Sequence, residues 1–320
     1  MTATPSLAPA AFDYPLADFQ GRRPPAPAWF DAALAREPER SVVMVDGGEI
    51  EVLAWGQRGR PGLLFTHGAA AHADWWSFIA PYFDDDFRVV AYSLSGMGRS
   101  EPRERYSIAG FADEAFAVAE AAGLYDSATK PVLAGHSFGG RAVLRAAADP
   151  RGAGWKGAIV LDTLIPVDGA PRPSSPFNGR PVKTYATQAE ALARFRLLPQ
   201  QPCENLFILD HIARHGMTQV DPADPESGWR WRFDPHLFER LEPWDTRQDL
   251  AAAVCPVAMI YGALSSRAEP AILRGLKALA PGGTPFVSVP EARHHLMLDQ
   301  PLAVATALRT LLAAWPATAD

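Results

Sequence analysis

The sequence has little cysteine, no excess of positive charge and no long apolar run. Only Cys203 and Cys255 occur among 320 residues, too few for a disulfide framework or a cysteine-based zinc site. Thirty basic and thirty-six acidic side chains give a net charge of −6, which disfavours nucleic acid and anionic membranes as partners. The longest uncharged stretch, residues 250–266, contains Pro256 and Gly262 and is shorter than the ~20 apolar residues of a spanning helix.

A secretion signal is also missing from the pattern of the first residues. The start, MTATPSLAPAAFDYP, does not place a basic segment before an apolar one. Hydrophobic residues make up 48% and charged residues 21% of the chain, which is ordinary globular usage and argues against disorder. We therefore expect a cytoplasmic protein with one core.

Short apolar runs that end in small residues dominate the pattern that is present. They cover residues 62–68, 88–96, 131–137, 157–163, 256–262 and 284–290, after a predicted hairpin over 41–55. Helical stretches lie between most of them, at 107–123 and 138–149 for example. Near-continuous hydrophobic strands alternating with helices are typical of a buried parallel sheet. The pattern predicts an α/β fold with a mostly parallel, twisted sheet of about eight strands and helices on both faces.

Two segments interrupt this alternation and suggest a division into domains. Residues 1–40 carry seven prolines and are predicted to form an irregular arm. Residues 165–247 lack a buried-strand run, so we predict a helical lid there, inserted after strand 6 of a core over 41–164 and 248–320. Within it, Thr187 and Glu190 have the spacing of a capping box that opens a helix through Leu198, and a second helix is expected from 204 to 215.

The strongest chemical motif is the G-x-S-x-G at residues 135–139, between a predicted strand and a predicted helix. Glycines on both sides of Ser137 permit a sharp turn that lifts the hydroxyl above the sheet, as in a nucleophile elbow. The alternative is a serine helix cap between two packing glycines. A pair of histidines at 211 and 215 has a zinc-like spacing, but no third ligand accompanies it, so no metal site is predicted.

This motif and the C-terminal residues resemble the α/β-hydrolase superfamily, in its serine-nucleophile branch. Its members end with a pattern like A-G-H-x-L-x-L-E-Q-P, and this chain has ARHHLMLDQP at 292–301. Counting back from Pro301, the resemblance implies that His294 is the base. His295 would then pack beside the site or offer a second polar contact. Arg293 stands where the family usually has glycine.

The resemblance also implies an oxyanion hole. One donor would be the backbone amide of Phe138, after the nucleophile, and the other that of Ala69, in the loop after the third strand. Two fixed N–H groups in a dry site supply several kcal/mol of transition-state stabilisation. Many relatives carry proline at position 70, where this chain has Ala70.

A further match, at residues 93–100, departs from the family pattern D-x-R-G-x-G-x-S. Ser93 and Ser95 replace the usual aspartate and arginine of this structural turn. The change removes buried charge partners but no catalytic group.

The acid of the triad is not at its usual place. Relatives carry it after the penultimate strand, where this chain has Ser265. A serine cannot neutralise an imidazolium. Some relatives carry the acid after the preceding strand of the core instead, so the resemblance implies Asp162 as the acid here. Glu269 is an alternative, and so is a dyad without an acid.

These residues predict a serine hydrolase that cleaves an ester-like bond, such as an ester or lactone, in an apolar or aromatic small molecule through an acyl-enzyme. His72, Trp75 and Trp76 follow the oxyanion loop and either wall the pocket or belong to the core. Neither metal nor organic cofactor is implied, and the oligomeric state is open.

Two other functions compete with this one. A C–C bond hydrolase or a perhydrolase would use the same triad. A small-molecule receptor that does not turn over would explain why no carboxylate follows the strand ending at Gly262.

Overall fold

The computed structural model describes residues 14–163, 165 and 183–315. The strands are β1 (Glu39–Val45), β2 (Gly48–Trp55), β3 (Gly62–Thr66), β4 (Arg88–Tyr92), β5 (Val132–His136), β6 (Gly157–Leu161), β7 (Met217–Gln219), β8 (Trp229–Trp231), β9 (Val257–Gly262) and β10 (Phe286–Val289). The α-helices are α1 (Ala28–Leu34), α2 (Ile108–Ala121), α3 (Phe138–Ala148), α4 (Gln188–Leu192), α5 (Leu206–His215), α6 (Thr246–Ala251), α7 (Pro270–Leu279), α8 (Leu296–Asp299) and α9 (Pro301–Ala314). Within these residues, no helix combines the length and the apolarity needed to cross a bilayer.

Eight of the strands form one sheet, as the sequence predicts. Their order is β1-β2-β4-β3-β5-β6-β9-β10. The pairs β1·β2 and β2·β4 are antiparallel, and all the others are parallel. Every residue of β3, β4, β5 and β6 is buried, which requires cover on both faces of the sheet and explains their continuous apolar runs. The mostly parallel α/β sheet is therefore confirmed.

The sheet begins with a tight hairpin whose turn follows from two residues. Asp46 and Gly47 join β1 to β2 with φ angles of 47° and 76°. A two-residue turn with positive φ at both positions matches the right-handed twist of the strands, and Asp-Gly is a favoured pair for it.

The strand order reverses beside β3, and this reversal determines where the loops with the predicted site residues lie. Since β4 lies on one side of β3 and β5 on the other, the loops after β3 and β5 diverge at the carboxyl edge of the sheet. Such a switch point leaves a crevice at this edge, the usual place for a ligand in open α/β sheets. The predicted oxyanion loop follows β3, and Ser137 follows β5.

The chain divides into two compact units. The smaller joins the N-terminal part up to Ala26 with Lys183–Trp231, and the larger contains the eight-stranded sheet. The limits of the predicted arm, core and lid stay predictions, and residues 166–182 of the predicted lid lie outside the described residues.

Two predictions within the smaller unit need correction. Thr187 caps α4 by accepting a hydrogen bond from the N–H of Glu190, as predicted, but the helix ends at Leu192 and does not reach Leu198. The unit also contains a two-stranded antiparallel ribbon, β7 and β8, where only helix and loop were predicted. The helix predicted over 204–215 is confirmed as α5, from Leu206 to His215.

The turn at residues 93–100 is hydrogen-bonded to buried carboxylates of neighbouring elements, although Ser93 and Ser95 replace the family's charged pair. Ser93 donates a hydrogen bond of 2.8 Å to Glu51 of β2, and the N–H of Ser95 donates to Glu114 of α2 at 3.1 Å. Burial raises the pKa of Glu114 to about 7, although the contacts with Ser95 and the charge of Arg103 oppose this shift. The turn is therefore hydrogen-bonded to a carboxyl group of α2 whose ionisation opposes folding.

We expect Glu114→Gln to stabilise the protein at pH 8 but hardly at pH 4.5. The folded pKa lies above the ordinary value of 4.5, so stability falls as the pH rises from 4.5 to 7 and stays reduced above it. The neutral amide removes this loss, a gain of up to about 3 kcal/mol. Chemical denaturation at both pH values measures it, with the exposed Glu120→Gln on the same helix as control. An equal gain at both pH values would contradict the assignment.

Candidate active site

Ser137 occupies the sharp turn between β5 and α3. Its backbone angles are φ 52° and ψ −113°, a region that non-glycine residues avoid and that tight packing must enforce. Gly135 and Gly139 allow that packing, since a Cβ at Gly135 would lie 2.5 Å from the Val143 side chain and one at Gly139 would collide with the carbonyl of His67. The hydroxyl of Ser137 is left partly exposed at the carboxyl edge of the sheet.

His294 lies in the loop between β10 and α8, with its ring against Ser137. Its Nε2 is 2.9 Å from Ser137 Oγ, and its Nδ1 is 2.9 Å from Asp162 Oδ1. Its exposed fraction is only 5%, so the ring is held between these two partners.

Asp162 follows β6 with a φ of 47° and a side chain that is 0% exposed. Its Oδ2 accepts a hydrogen bond of 3.0 Å from the N–H of Gly262, and its Oδ1 accepts one of 2.8 Å from the hydroxyl of Ser265. Glu269, the other candidate acid, is exposed at the residue before α7 and makes no hydrogen bond with His294 among the described residues. The structure therefore brings together Ser137, His294 and Asp162, and not Glu269.

The environment sets the protonation of this group. Burial lowers the pKa of His294, and the positive charge of Arg267 lowers it further. Burial raises the pKa of Asp162, against the donors from Gly262 and Ser265. A neutral imidazole that donates from Nδ1 to the carboxylate has its lone pair on Nε2, so it accepts the hydrogen bond from Ser137.

Two further histidines surround the base. Nε2 of His136 is 2.9 Å from the carbonyl oxygen of His294, which ties the elbow to the loop of the base. The ring centre of His295 is 4.8 Å from that of His294 and 5.6 Å from that of Trp75. Nitrogen atoms of the three histidines lie within 4.8 Å of one another, but both nitrogens of His294 and Nε2 of His136 already have hydrogen-bond partners.

The loop after β3 lies against the elbow. Its His67 accepts a hydrogen bond at Nε2 from the N–H of Leu94 (3.0 Å), so its Nδ1 donates to the carbonyl of Gly68 (2.8 Å). A Cβ at Gly68 would lie 3.3 Å from that of Ser137. Within the part of the chain that the structure describes, the amides of Ala69 and Phe138 donate no hydrogen bond. Phe138 is the first residue of α3, where an N–H has no partner inside the helix.

The three residues proposed to wall a pocket have different surroundings. Trp76 is 0% exposed and stacks on Phe65 of β3 with ring centres 4.4 Å apart, so it belongs to the core. Trp75 is buried beside His295. His72 is buried with its Nδ1 3.8 Å from the carboxylate of Asp74.

Comparison with known families decides the classification. The sequence model described as the alpha/beta hydrolase family matches residues 63–307, which include the elbow and His294. The chain belongs to the alpha/beta hydrolase family. It is therefore a hydrolase by family, and the predicted fold and resemblance are confirmed. No protein of curated function matches this alpha/beta hydrolase in sequence.

Solved structures share the fold of this alpha/beta hydrolase. The thioesterase domain from the curacin biosynthetic pathway aligns with a TM-score of 0.69 at 21% identity, over 85% of this chain and 99% of that one. E-2-(acetamidomethylene)succinate hydrolase gives 0.67 at 20% identity, over 87% and 100%. An esterase from Thermogutta terrifontis gives 0.61 at 23% identity, over 86% and 98%.

Sequence reasoning missed two contacts of this alpha/beta hydrolase. Arg267 lies with Nε 3.9 Å from Asp162 Oδ1, and Ser265 is bonded to the same oxygen. A signal for Ser265 did exist, because it occupies the position where relatives carry the acid and must therefore face the base. No pattern in the sequence points to Arg267.

Proposed function

We propose that this alpha/beta hydrolase cleaves an ester-like bond in a small molecule with Ser137 as nucleophile, His294 as base and Asp162 as acid. The observation that carries the proposal is the pair of 2.9 Å contacts that links these side chains in series. The hydroxyl of Ser137 attacks the acyl carbon while Nε2 of His294 takes its proton, and the base then returns that proton to the leaving alcohol. A water molecule then attacks the acyl-enzyme while His294 takes its proton, and Ser137 leaves with that proton as the carboxylic acid product is released.

The negative oxygen that forms on the acyl group needs fixed donors. We assign this role to the amides of Ala69 and Phe138, because both lie beside the elbow and neither is engaged in a hydrogen bond among the described residues. Donors that are already oriented need no rearrangement when charge develops. Metals and organic cofactors take no part in the proposed steps.

The substrate is proposed to be apolar or aromatic. Phe138 packs edge-on against Phe111 and Phe238, with ring centres 5.4 Å and 5.6 Å apart, and Trp75 lies beside His295. Two proteins of the same fold are called a thioesterase and an esterase, names that denote cleavage of acyl bonds. Residues 165–247 are proposed to act as the lid, and a cytoplasmic location stays a prediction.

The test is a panel of p-nitrophenyl esters of increasing acyl length, with aryl esters, thioesters and lactones. We expect turnover of at least one ester class and labelling of Ser137 by a fluorophosphonate, mapped by mass spectrometry. Labelling of Ser137 without turnover of any member would favour the receptor. Cleavage of a 1,3-diketone, or peracid formation from peroxide, without esterase activity would favour the C–C hydrolase or the perhydrolase.

The two adjacent histidines provide a matched pair of variants. We expect His294→Ala to lower kcat at least ~10³-fold, because no other group takes the proton of Ser137. His295→Phe keeps a ring of similar size beside Trp75 and should cost less than about tenfold, or about 1.4 kcal/mol. Steady-state kinetics on the best ester of the panel measures both. The opposite ranking would move the base to His295.

A further inference from the structure

The turn after β9 is fixed to the loop that carries His294. The N–H of Ala263 donates to the carbonyl of Val289 (2.9 Å), and the N–H of Leu264 donates to that of Ala292 (2.8 Å). A Cβ at Gly262 would collide with the carbonyl oxygens of Ala292 and Arg293, so only glycine allows this close approach. The side chains of the turn therefore have set positions relative to the base.

The first of these side chains is that of Ser265. Its hydroxyl donates to Oδ1 of Asp162 at 2.8 Å, the same oxygen that lies 2.9 Å from Nδ1 of His294. Its oxygen also accepts a hydrogen bond of 3.1 Å from the N–H of Arg267. Because an ionised carboxylate can only accept, the O–H of Ser265 is the donor in its contact with Asp162.

The second side chain is that of Arg267, which is 20% exposed. Its buried Nε lies 3.9 Å from Oδ1 of Asp162, too far for a hydrogen bond, and has no hydrogen-bond partner among the described residues. The guanidinium therefore acts on the carboxylate through its charge. Such an attraction is strong here, because the side chain of Asp162 is fully buried and water does not screen it.

Other titratable groups face the same pair. Arg141 of α3 is buried near Arg267, and burial lowers the pKa of both arginines. His136 and His295 lie beside the base, and burial keeps the pKa of His136 well below its ordinary value, so this ring stays neutral. Arg267 is the cation that the structure places at the carboxylate itself.

A fully buried carboxylate is stable as an anion only if donors and charge replace its lost hydration. Gly262 and His294 each supply one N–H, and the turn after β9 adds the hydroxyl of Ser265 and the charge of Arg267. We propose that Ser265 and Arg267 are positioning residues that keep Asp162 ionised and directed at Nδ1 of His294, a role that rests on the proposed triad.

The experiment compares the pH profile of kcat/KM for wild type, Ser265→Ala and Arg267→Gln on one p-nitrophenyl ester. Removal of a donor or a positive charge raises the pKa of Asp162 and His294, so the acid limb should move up by about 0.5 to 1 pH unit. We expect kcat to fall about tenfold with little change in KM, because the base loses its orientation. Ser265→Thr and Arg267→Lys keep the hydroxyl and the charge and should stay near the wild-type profile.

The exposed Ser266→Ala, one residue along the same turn, is the matched control and should behave as wild type. An unchanged acid limb in both Ser265→Ala and Arg267→Gln overturns the proposal, as does a failure of the Thr and Lys variants to restore it. Circular dichroism identifies a variant that does not fold. The proposal is then tested by the acid limb of the variant at the other of the two positions.

A measurement without substrate separates this proposal from the proposed function. The Nδ1 proton of a histidine that is hydrogen-bonded to a carboxylate gives a strongly downfield NMR resonance, and its chemical shift changes when Nε2 takes up a proton. In Ser265→Ala and Arg267→Gln this change should occur at higher pH than in wild type. This result in a protein that cleaves no ester would contradict the hydrolytic function but support the role of the two residues. A titration that does not shift, in an enzyme that cleaves esters, would support the hydrolytic function and contradict the role of Ser265 and Arg267.

Discussion

Replacing Ser137 by alanine is expected to lower kcat at least ~10⁴-fold and to leave the fold intact. The hydroxyl is partly exposed and bonds to Nε2 of His294, so its loss leaves no buried donor unsatisfied in the core. The backbone at this position has a φ of 52°, which alanine tolerates no worse than serine. A residual rate above that in water should come from the amides of Ala69 and Phe138.

The measurement is kcat on the best ester of the panel, together with the loss of fluorophosphonate labelling. Circular dichroism and the thermal midpoint serve as controls for folding. A variant that keeps kcat within about tenfold of wild type, a loss below about 1.4 kcal/mol, would remove Ser137 from the nucleophile role.

The fold was predictable because its strands have a strong local pattern. Continuous apolar runs flanked by glycine and small residues predict β3, β5 and β6 wherever both faces are buried. The end of α4 was not predictable in this way. Its last turn tightens, as the N–H of Arg194 bonds to the carbonyl of Ala191, and the ring of Phe195 packs against Trp231. Such a tertiary contact overrides helix propensity without a trace in the periodicity.

The site was predictable where a sequence motif, the order of residues along the chain or the need for a charge identifies a residue. The elbow indicates Ser137, counting from Pro301 indicates His294, and the serine at the usual position of the acid favoured Asp162, with Glu269 and a dyad as the alternatives. The structure places these three side chains in contact. Arg267 could not be found, because its role depends on where a long side chain points after a turn, which no local pattern determines.

The acid assignment makes the second large prediction: Asp162→Asn should keep the fold and lower kcat ~10⁴-fold, about 5.4 kcal/mol. Asparagine has the same shape and is among the few residue types that tolerate positive φ, here 47°. Its oxygen can still accept from the N–H of Gly262, so the loop after β6 should stay in place. Alanine neither tolerates positive φ as well nor accepts the hydrogen bond from Gly262. A fall in kcat in that variant could therefore reflect a displaced loop and not the missing carboxylate.

The large loss has a specific cause. The side-chain nitrogen of the asparagine can donate to Nδ1 of His294, which then carries its proton on Nε2 and no longer accepts one from Ser137. Glu269→Gln changes the other candidate acid, which follows β9, and should leave kcat within about twofold, since Glu269 is exposed. The pH profile adds a second criterion. In Asp162→Asn hydroxide must take the proton of Ser137 in place of His294, and the residual rate should therefore rise with pH. If Asp162→Asn retained more than about a tenth of wild-type kcat, the protein would be a Ser137–His294 dyad in which Asp162 only caps the end of β6.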